Sequence, residues 1–249
     1  MVAPLPVIGL VQFGGQAFAD RWSYLPHLGL VLGLVATVHG LLRPRARVVG
    51  AVVAVVACAV VTARALPHWR NSETVFRHAL AVVPDNFMAH TNLGNALDQA
   101  GKLDEAAVHY EEAVRLNPTY PEALNNLGTL KARRGEMDAA EALFRRALAV
   151  RPGMLLARYN LGLAASSFGR NVEAATEWLR LLADSPGDVR AWPSLQFVVI
   201  RTLSPACQAG KLRASAAEAD AFRAALARWQ PAPAEQDLRA ALEGIARCL

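Results

Sequence analysis

Asn92, Asn126 and Asn160 stand 34 residues apart, and each ends in a carboxamide that both donates and accepts hydrogen bonds. A row of such groups on one face can pair with successive backbone amides of an extended polypeptide. Sequence would matter little to those contacts. The neighbours Thr91, Asn95, Gln99, Asn125, Thr129, Arg133, Tyr159 and Leu163 are mixed and mostly uncharged, which argues against selection of an acidic or basic terminus. The competing reading is that these asparagines cap or bridge neighbouring helices. Peptide binding is preferred, because stacked helical repeats commonly recognise partners on their concave surface.

Other reactive groups are sparse. Asp20 and Arg21 adjoin, and at a membrane interface such a pair could face a lipid-phosphate-linked sugar, with Arg21 on the phosphate. The plainer reading is a loop tied to neighbouring helix ends, since a lone acid without a second acid, a metal cluster or a nucleophile defines no chemistry. Cys207 and Cys248 both lie near the C-terminus and could pair in an oxidising compartment. Cys58 sits in an apolar run and reads as a packing residue. The histidines, His78, His90 and His109 among them, lack metal-ligand spacing, so neither a metal site nor a cofactor is expected.

The elements that must position the asparagines follow from the same interval. Pro84, Pro118, Pro152 and Pro186 recur every 34 residues, in phase with Leu93, Leu127 and Leu161, Gly94, Gly128 and Gly162, Gly101, Gly135 and Gly169, and Ala106, Ala140 and Ala174. An aromatic column, Phe76, Tyr110, Phe144 and Trp178, accompanies them. In each unit a first helix ends at a glycine that tolerates a left-handed turn. A second helix then runs up to the proline, which cannot continue it. These columns resemble the tetratricopeptide repeat. The resemblance implies an all-α fold, a right-handed superhelix of helix pairs over residues 71–188 (one half repeat and three full ones). Residues 189–249 read as a degenerate repeat and capping helices, in which Ser215 and Glu218 have capping-box spacing.

Charge divides the chain. The net charge is +5, and all of that excess lies in residues 1–70, whereas residues 71–249 balance. No basic stripe interleaved with aromatics marks the repeats, which excludes a nucleic-acid partner. The arginines instead flank two apolar runs, Tyr24–Leu42 and Val48–Leu66, each about 28 Å long as helix. A transmembrane hairpin over residues 24–70 is expected in preference to a buried soluble helix, with the turn RPRAR at one membrane surface and Trp22, Tyr24 and Trp69 at the other. The arginine density of the turn favours its cytoplasmic placement and puts the repeats on the non-cytoplasmic side. Residues 1–23, broken by Pro4, Pro6, Gly9, Gly14 and Gly15, read as an interfacial loop or truncated span, not a cleaved signal peptide.

A second resemblance covers residues 5–118, whose most specific piece is Ala19, Asp20, Arg21, Trp22, Tyr24 and Pro26. The stretch is similar to the C-terminal part of transmembrane and tetratricopeptide-repeat O-mannosyltransferase-like proteins, a group that includes bacterial members. That resemblance implies a bacterial inner-membrane protein with periplasmic repeats. It also implies a polyprenyl-phosphate-sugar-dependent glycosyltransferase, whose catalytic acid belongs to an early membrane loop absent from this chain. The preferred expectation is therefore a non-catalytic, membrane-anchored scaffold for peptides. The alternative is the acceptor-presenting tail of such a transferase. Membrane lipid and other transmembrane helices complete the expected partners.

Overall fold

The computed structural model describes residues 44–231 and 235–249. Every regular element among them is helical, and the chain divides into two compact units, residues 1–116 and 117–249.

In the first unit, α1 (Pro44–Ala65) leads through a 3-10 turn (Leu66–Trp69) to α2 (Ser72–Val82), α3 (Phe87–Gln99) and α4 (Leu103–Leu116). The valines of α1 are exposed, Val49, Val52, Val53, Val55, Val56, Val60 and Val61 among them. No helix among the described residues is long and apolar enough to cross a membrane. The expected two-span hairpin is thus not seen. Its first half lies outside the described residues, as does the segment 1–23.

Local signals set the boundaries of the helices that follow. Asn71 caps α2 by accepting the Thr74 N–H at 2.9 Å, while the Thr74 hydroxyl accepts the Asn71 N–H at 3.3 Å. α3 packs on α2 and on α4. Between α3 and α4 the chain turns at Gly101, φ +76°. The Gly101 and Lys102 N–H groups reach back to the Asp98 and Leu97 carbonyls, both at 2.9 Å, so the last carbonyls of α3 stay paired. Gly135 and Gly169 make the same left-handed turn in the second unit, at φ +80° and +73°. A side chain there would strain the backbone.

The second unit contains two more helix pairs, α5 (Pro121–Arg133) with α6 (Met137–Val150), and α7 (Leu155–Ser167) with α8 (Asn171–Asp184). It ends in α9 (Ala191–Val198), one π-helical turn (Val199–Leu203), α10 (Ser204–Gln208), α11 (Ala216–Arg228) and α12 (Gln236–Cys248). Within each pair the aromatic of the second helix packs closely against the glycine of the first. A Cβ at Gly128 would sit 2.7 Å from the Phe144 ring, and one at Gly162 would sit 2.4 Å from Trp178 Nε1. Gly94 and Tyr110 repeat the arrangement in the first unit, at 2.6 Å. The missing side chain lets a large ring fill the space between two helices, which is why glycine and aromatic recur together.

The largest core gathers Trp178, Leu179, Leu182, Leu195, Phe222, Trp229, Leu242 and Ile245. Trp192 meets Trp229 edge-on, centroids 5.7 Å apart. Ser215 and Glu218 close a capping box at the start of α11. Cys207 and Cys248 form a disulfide that ties α10 to the end of α12, with Cα atoms 5.7 Å apart.

Candidate functional site

α5, α7 and α9 are the first helices of successive pairs in the second unit, and polar side chains join them. Asn160 of α7 donates from its amide nitrogen to Asn125 Oδ1 at 3.0 Å and to Thr129 Oγ1 at 3.2 Å, both on α5. Asn125 in turn donates to Asn126 Oδ1 at 3.2 Å. The Thr129 hydroxyl donates to the Asn125 carbonyl at 3.0 Å. Asn125 is 1% exposed, so it braces the network from below and does not line a surface, contrary to the sequence expectation. A buried carboxamide must be satisfied or it costs stability. Asn126 and Asn160 satisfy it.

These bonds leave a defined remainder. Asn160 spends both amide hydrogens on α5, and its carbonyl oxygen, bonded to nothing among the described residues and not buried, faces solvent. The amide is held in one orientation before any ligand arrives. Leu156 and Leu163 stand exposed beside it at 40% and 43%, and Phe197 of α9 is 64% exposed. Arg133 is exposed at the end of α5.

Tyr159 connects α7 to α9. Its hydroxyl lies 3.4 Å from Ser194 Oγ, and the Arg190 guanidinium lies over its ring, 5.6 Å from the centroid. Hydrogen bonding to the Asp188 carboxylate raises the Arg190 pKa further above its usual range and lowers that of Asp188. The cation over the ring is therefore permanent. Ser194 and Arg190 were not singled out from the sequence. The signal was available, because Ser194 lies 34 residues after Asn160 and takes its place in the column with a hydroxyl.

In the first unit Asn92 is half-buried, and nothing among the described residues hydrogen-bonds its carboxamide. Asn95 is engaged, accepting the hydroxyl of buried Tyr110 at 2.8 Å. Thr91 is 2% exposed and donates to the Phe87 carbonyl of its own helix, so it offers nothing to a ligand. Asp20 and Arg21 lie outside the described residues. Among the described residues no group of three or more His, Cys, Asp or Glu could hold a metal ion.

Family models described as "TPR repeat" and "Tetratricopeptide repeat" match residues 94–135 and 125–189. The chain is 31% identical over 130 residues to Protein O-mannosyl-transferase TMTC1 of Homo sapiens, a match that covers 49% of this chain and 14% of that protein. It is 30% identical over 119 residues to Protein O-mannosyl-transferase Tmtc2 of Drosophila melanogaster, over 46% of this chain and 12% of that one. The alignments thus span only a small part of those transferases. Among solved structures, the crystal structure of MamA matches at 22% identity and TM-score 0.49, over 71% of this chain and 94% of that chain. The first TPR of Spaghetti (RPAP3) bound to an HSP90 peptide matches at 23% identity and TM-score 0.44, over 45% and 89%.

Proposed function

Residues 94–189 are tetratricopeptide repeats, and from that premise we propose that the chain is a membrane-anchored scaffold that holds an extended polypeptide along the amide row of its first helices. The observation that carries the reading is the fixed Asn160 carboxamide, with its nitrogen bound to Asn125 and Thr129 and its oxygen turned to solvent. An acceptor already held in place costs no side-chain ordering when a backbone N–H binds it. Asn126 supplies the same chemical group one repeat earlier.

Anchoring has separate support. The exposed valines of α1 need an apolar cover. Arg64 near its C-terminal end can extend to lipid headgroups while its stem stays in hydrocarbon. The Cys207–Cys248 disulfide suits an oxidising compartment and agrees with periplasmic repeats on a bacterial inner membrane.

The test uses full-length chain in detergent and an immobilised library of mixed-sequence extended peptides. Asn160→Ala is expected to weaken capture per folded molecule about tenfold, the loss of one hydrogen bond at the upper end of its usual worth, and to lower the melting temperature as well, because the buried Asn125 Oδ1 loses its donor. Unaltered capture by a folded variant would remove the amide row from the reading. Separately, the wild-type chain should pellet with membranes and be released by detergent but not by salt. Release by salt alone excludes the anchor.

A second reading has its own support in the likeness to O-mannosyl-transferases over about half of the chain. Here the repeats present a polypeptide acceptor to a polyprenyl-phosphate-sugar-dependent active site on a longer polypeptide, and Asp20 and Arg21 would lie near the lipid phosphate. Reading the DNA upstream of Met1 separates the two. An open frame that continues into further membrane segments with an early acidic loop favours the transferase.

A further inference from the structure

One position between the paired helices changes chemistry from repeat to repeat. His90 of α3 and His109 of α4 meet there with their Nδ1 atoms 3.0 Å apart. Thirty-four residues later the same two positions are Leu124 and Leu143, both buried. Another step gives Arg158 and Glu177, an ion pair at 3.7 Å. The site between helices thus holds a titratable pair in the first unit, an apolar pair in the next repeat and opposite charges in the third.

The tautomers of the histidine pair are fixed by its surroundings. His90 Nε2 lies 2.9 Å from the Pro84 carbonyl oxygen, which only accepts, so Nε2 carries the proton and Nδ1 of neutral His90 is bare. His109 must then donate its own Nδ1–H to His90 Nδ1. The ring centroids are 5.2 Å apart, the separation of rings meeting almost end to end. The two nitrogens therefore point at one another and not at a common external point where a metal would sit.

From this geometry we infer that the His90–His109 contact is an acid-released fastening between α3 and α4. A first proton adds to His109 Nε2 and leaves the chain of hydrogen bonds intact. A second must enter at His90 Nδ1, where it meets the His109 N–H head-on and sets two cations together. The link holds with no added proton or one and opens with two.

The charged groups facing the pair are Arg77 from α2 and Glu105 and Glu112 from α4. Arg77 is tied to Glu73 and Glu105, and Glu112 to Arg115, so neither acid is left to neutralise a doubly protonated pair. Burial foremost, then His90 and Arg77, lowers the His109 pKa below the usual histidine value. The unfolded chain accordingly takes up protons at higher pH than the folded one. Stability linked to the pair is complete above the unfolded value, about 6.5, and is lost as pH falls below it.

Hydrogen exchange read by mass spectrometry on the full chain in detergent, corrected for intrinsic exchange, tests the inference. Between about pH 7.5 and about pH 5, protection of residues 87–116 should fall about tenfold, the equivalent of one unit of proton linkage. Residues 121–167 serve as the internal reference and should change much less. The double variant His90→Leu/His109→Leu, which copies Leu124 and Leu143, should abolish the fall. His109→Gln keeps a neutral donor without a second charge and should reduce it, and it provides the readout should the double variant fold poorly. His78→Gln is the control, because His78 is a histidine outside the pair, stacked on His68 at 4.2 Å in an exposed position. It should respond as wild type does. An equal fall in wild type and both pair variants, or no fall in wild type, overturns the inference.

Discussion

Gly162→Ala tests whether glycine and aromatic recur together for steric reasons. A Cβ at Gly162 would lie 2.4 Å from Trp178 Nε1, 2.7 Å from Cε2 and 2.9 Å from Cδ1. The indole cannot easily give way, since Trp178 is 1% exposed and its Nε1–H donates to the Tyr159 carbonyl at 3.3 Å. Overpacking of this kind costs about 1–3 kcal/mol, and displacing the hydrogen bond adds about 1 kcal/mol. Alanine recovers about 1 kcal/mol of helix propensity relative to glycine. The net destabilisation is about 1–3 kcal/mol. With a urea slope of about 1–3 kcal/mol per molar, the midpoint should fall by roughly 1 M. Tryptophan fluorescence follows it, because Trp178, Trp192 and Trp229 all lie in the second unit. Adding Trp178→Phe should make the double variant less destabilised than the sum of the singles, a coupling expected of groups in contact. A midpoint that rises on Gly162→Ala, or strict additivity with Trp178→Phe, would refute the steric account.

Further outcomes follow from the same geometry. Gly135→Ala introduces no clash but places a side chain at φ +80°, and should cost about 1–2 kcal/mol in urea titration. Gly153→Ala, with nothing within 4 Å and no positive φ, should be neutral or slightly stabilising. Ser215→Ala removes the hydroxyl half of the α11 capping box, in which Ser215 Oγ accepts the Glu218 N–H, while the Ser215 N–H can still donate to Glu218, and it should lower stability by about 1 kcal/mol in a circular-dichroism melt. Reduction of Cys207–Cys248, 41 residues apart, should cost about 2–4 kcal/mol, measured as a lower urea midpoint in dithiothreitol. The pKa of Glu141 is lowered chiefly by its hydrogen bond to Arg170, with Arg145 assisting. The stability it contributes is therefore present above the ordinary glutamate value and lost as pH falls through the depressed one. Glu141→Gln should flatten the acid limb of the second unit's stability curve between about pH 4.3 and lower values.

Much of the architecture was legible from the residues alone, because each repeating position does a local job. Glycine turns at Gly101, Gly135 and Gly169 need a left-handed backbone that few other residues adopt. The proline interval marks where a second helix must already have ended, and the Ser215–Glu218 spacing starts another. Such constraints act within a few residues of chain. The chemistry of the candidate face was less legible. The sequence placed Asn125, Asn126 and Asn160 together as a type, but which carboxamide would be buried depends on the rotation of α5 against α7. Only the packed helices show Asn125 beneath and Asn160 braced across it. The histidine pair was also invisible, since His90 and His109 lie 19 residues apart with no spacing rule to join them. An interval of 34 fixes which residues are equivalent. Side chains packed between helices decide which of those equivalents touch, because contact across a helix pair depends on distances in space that the one-dimensional order does not contain.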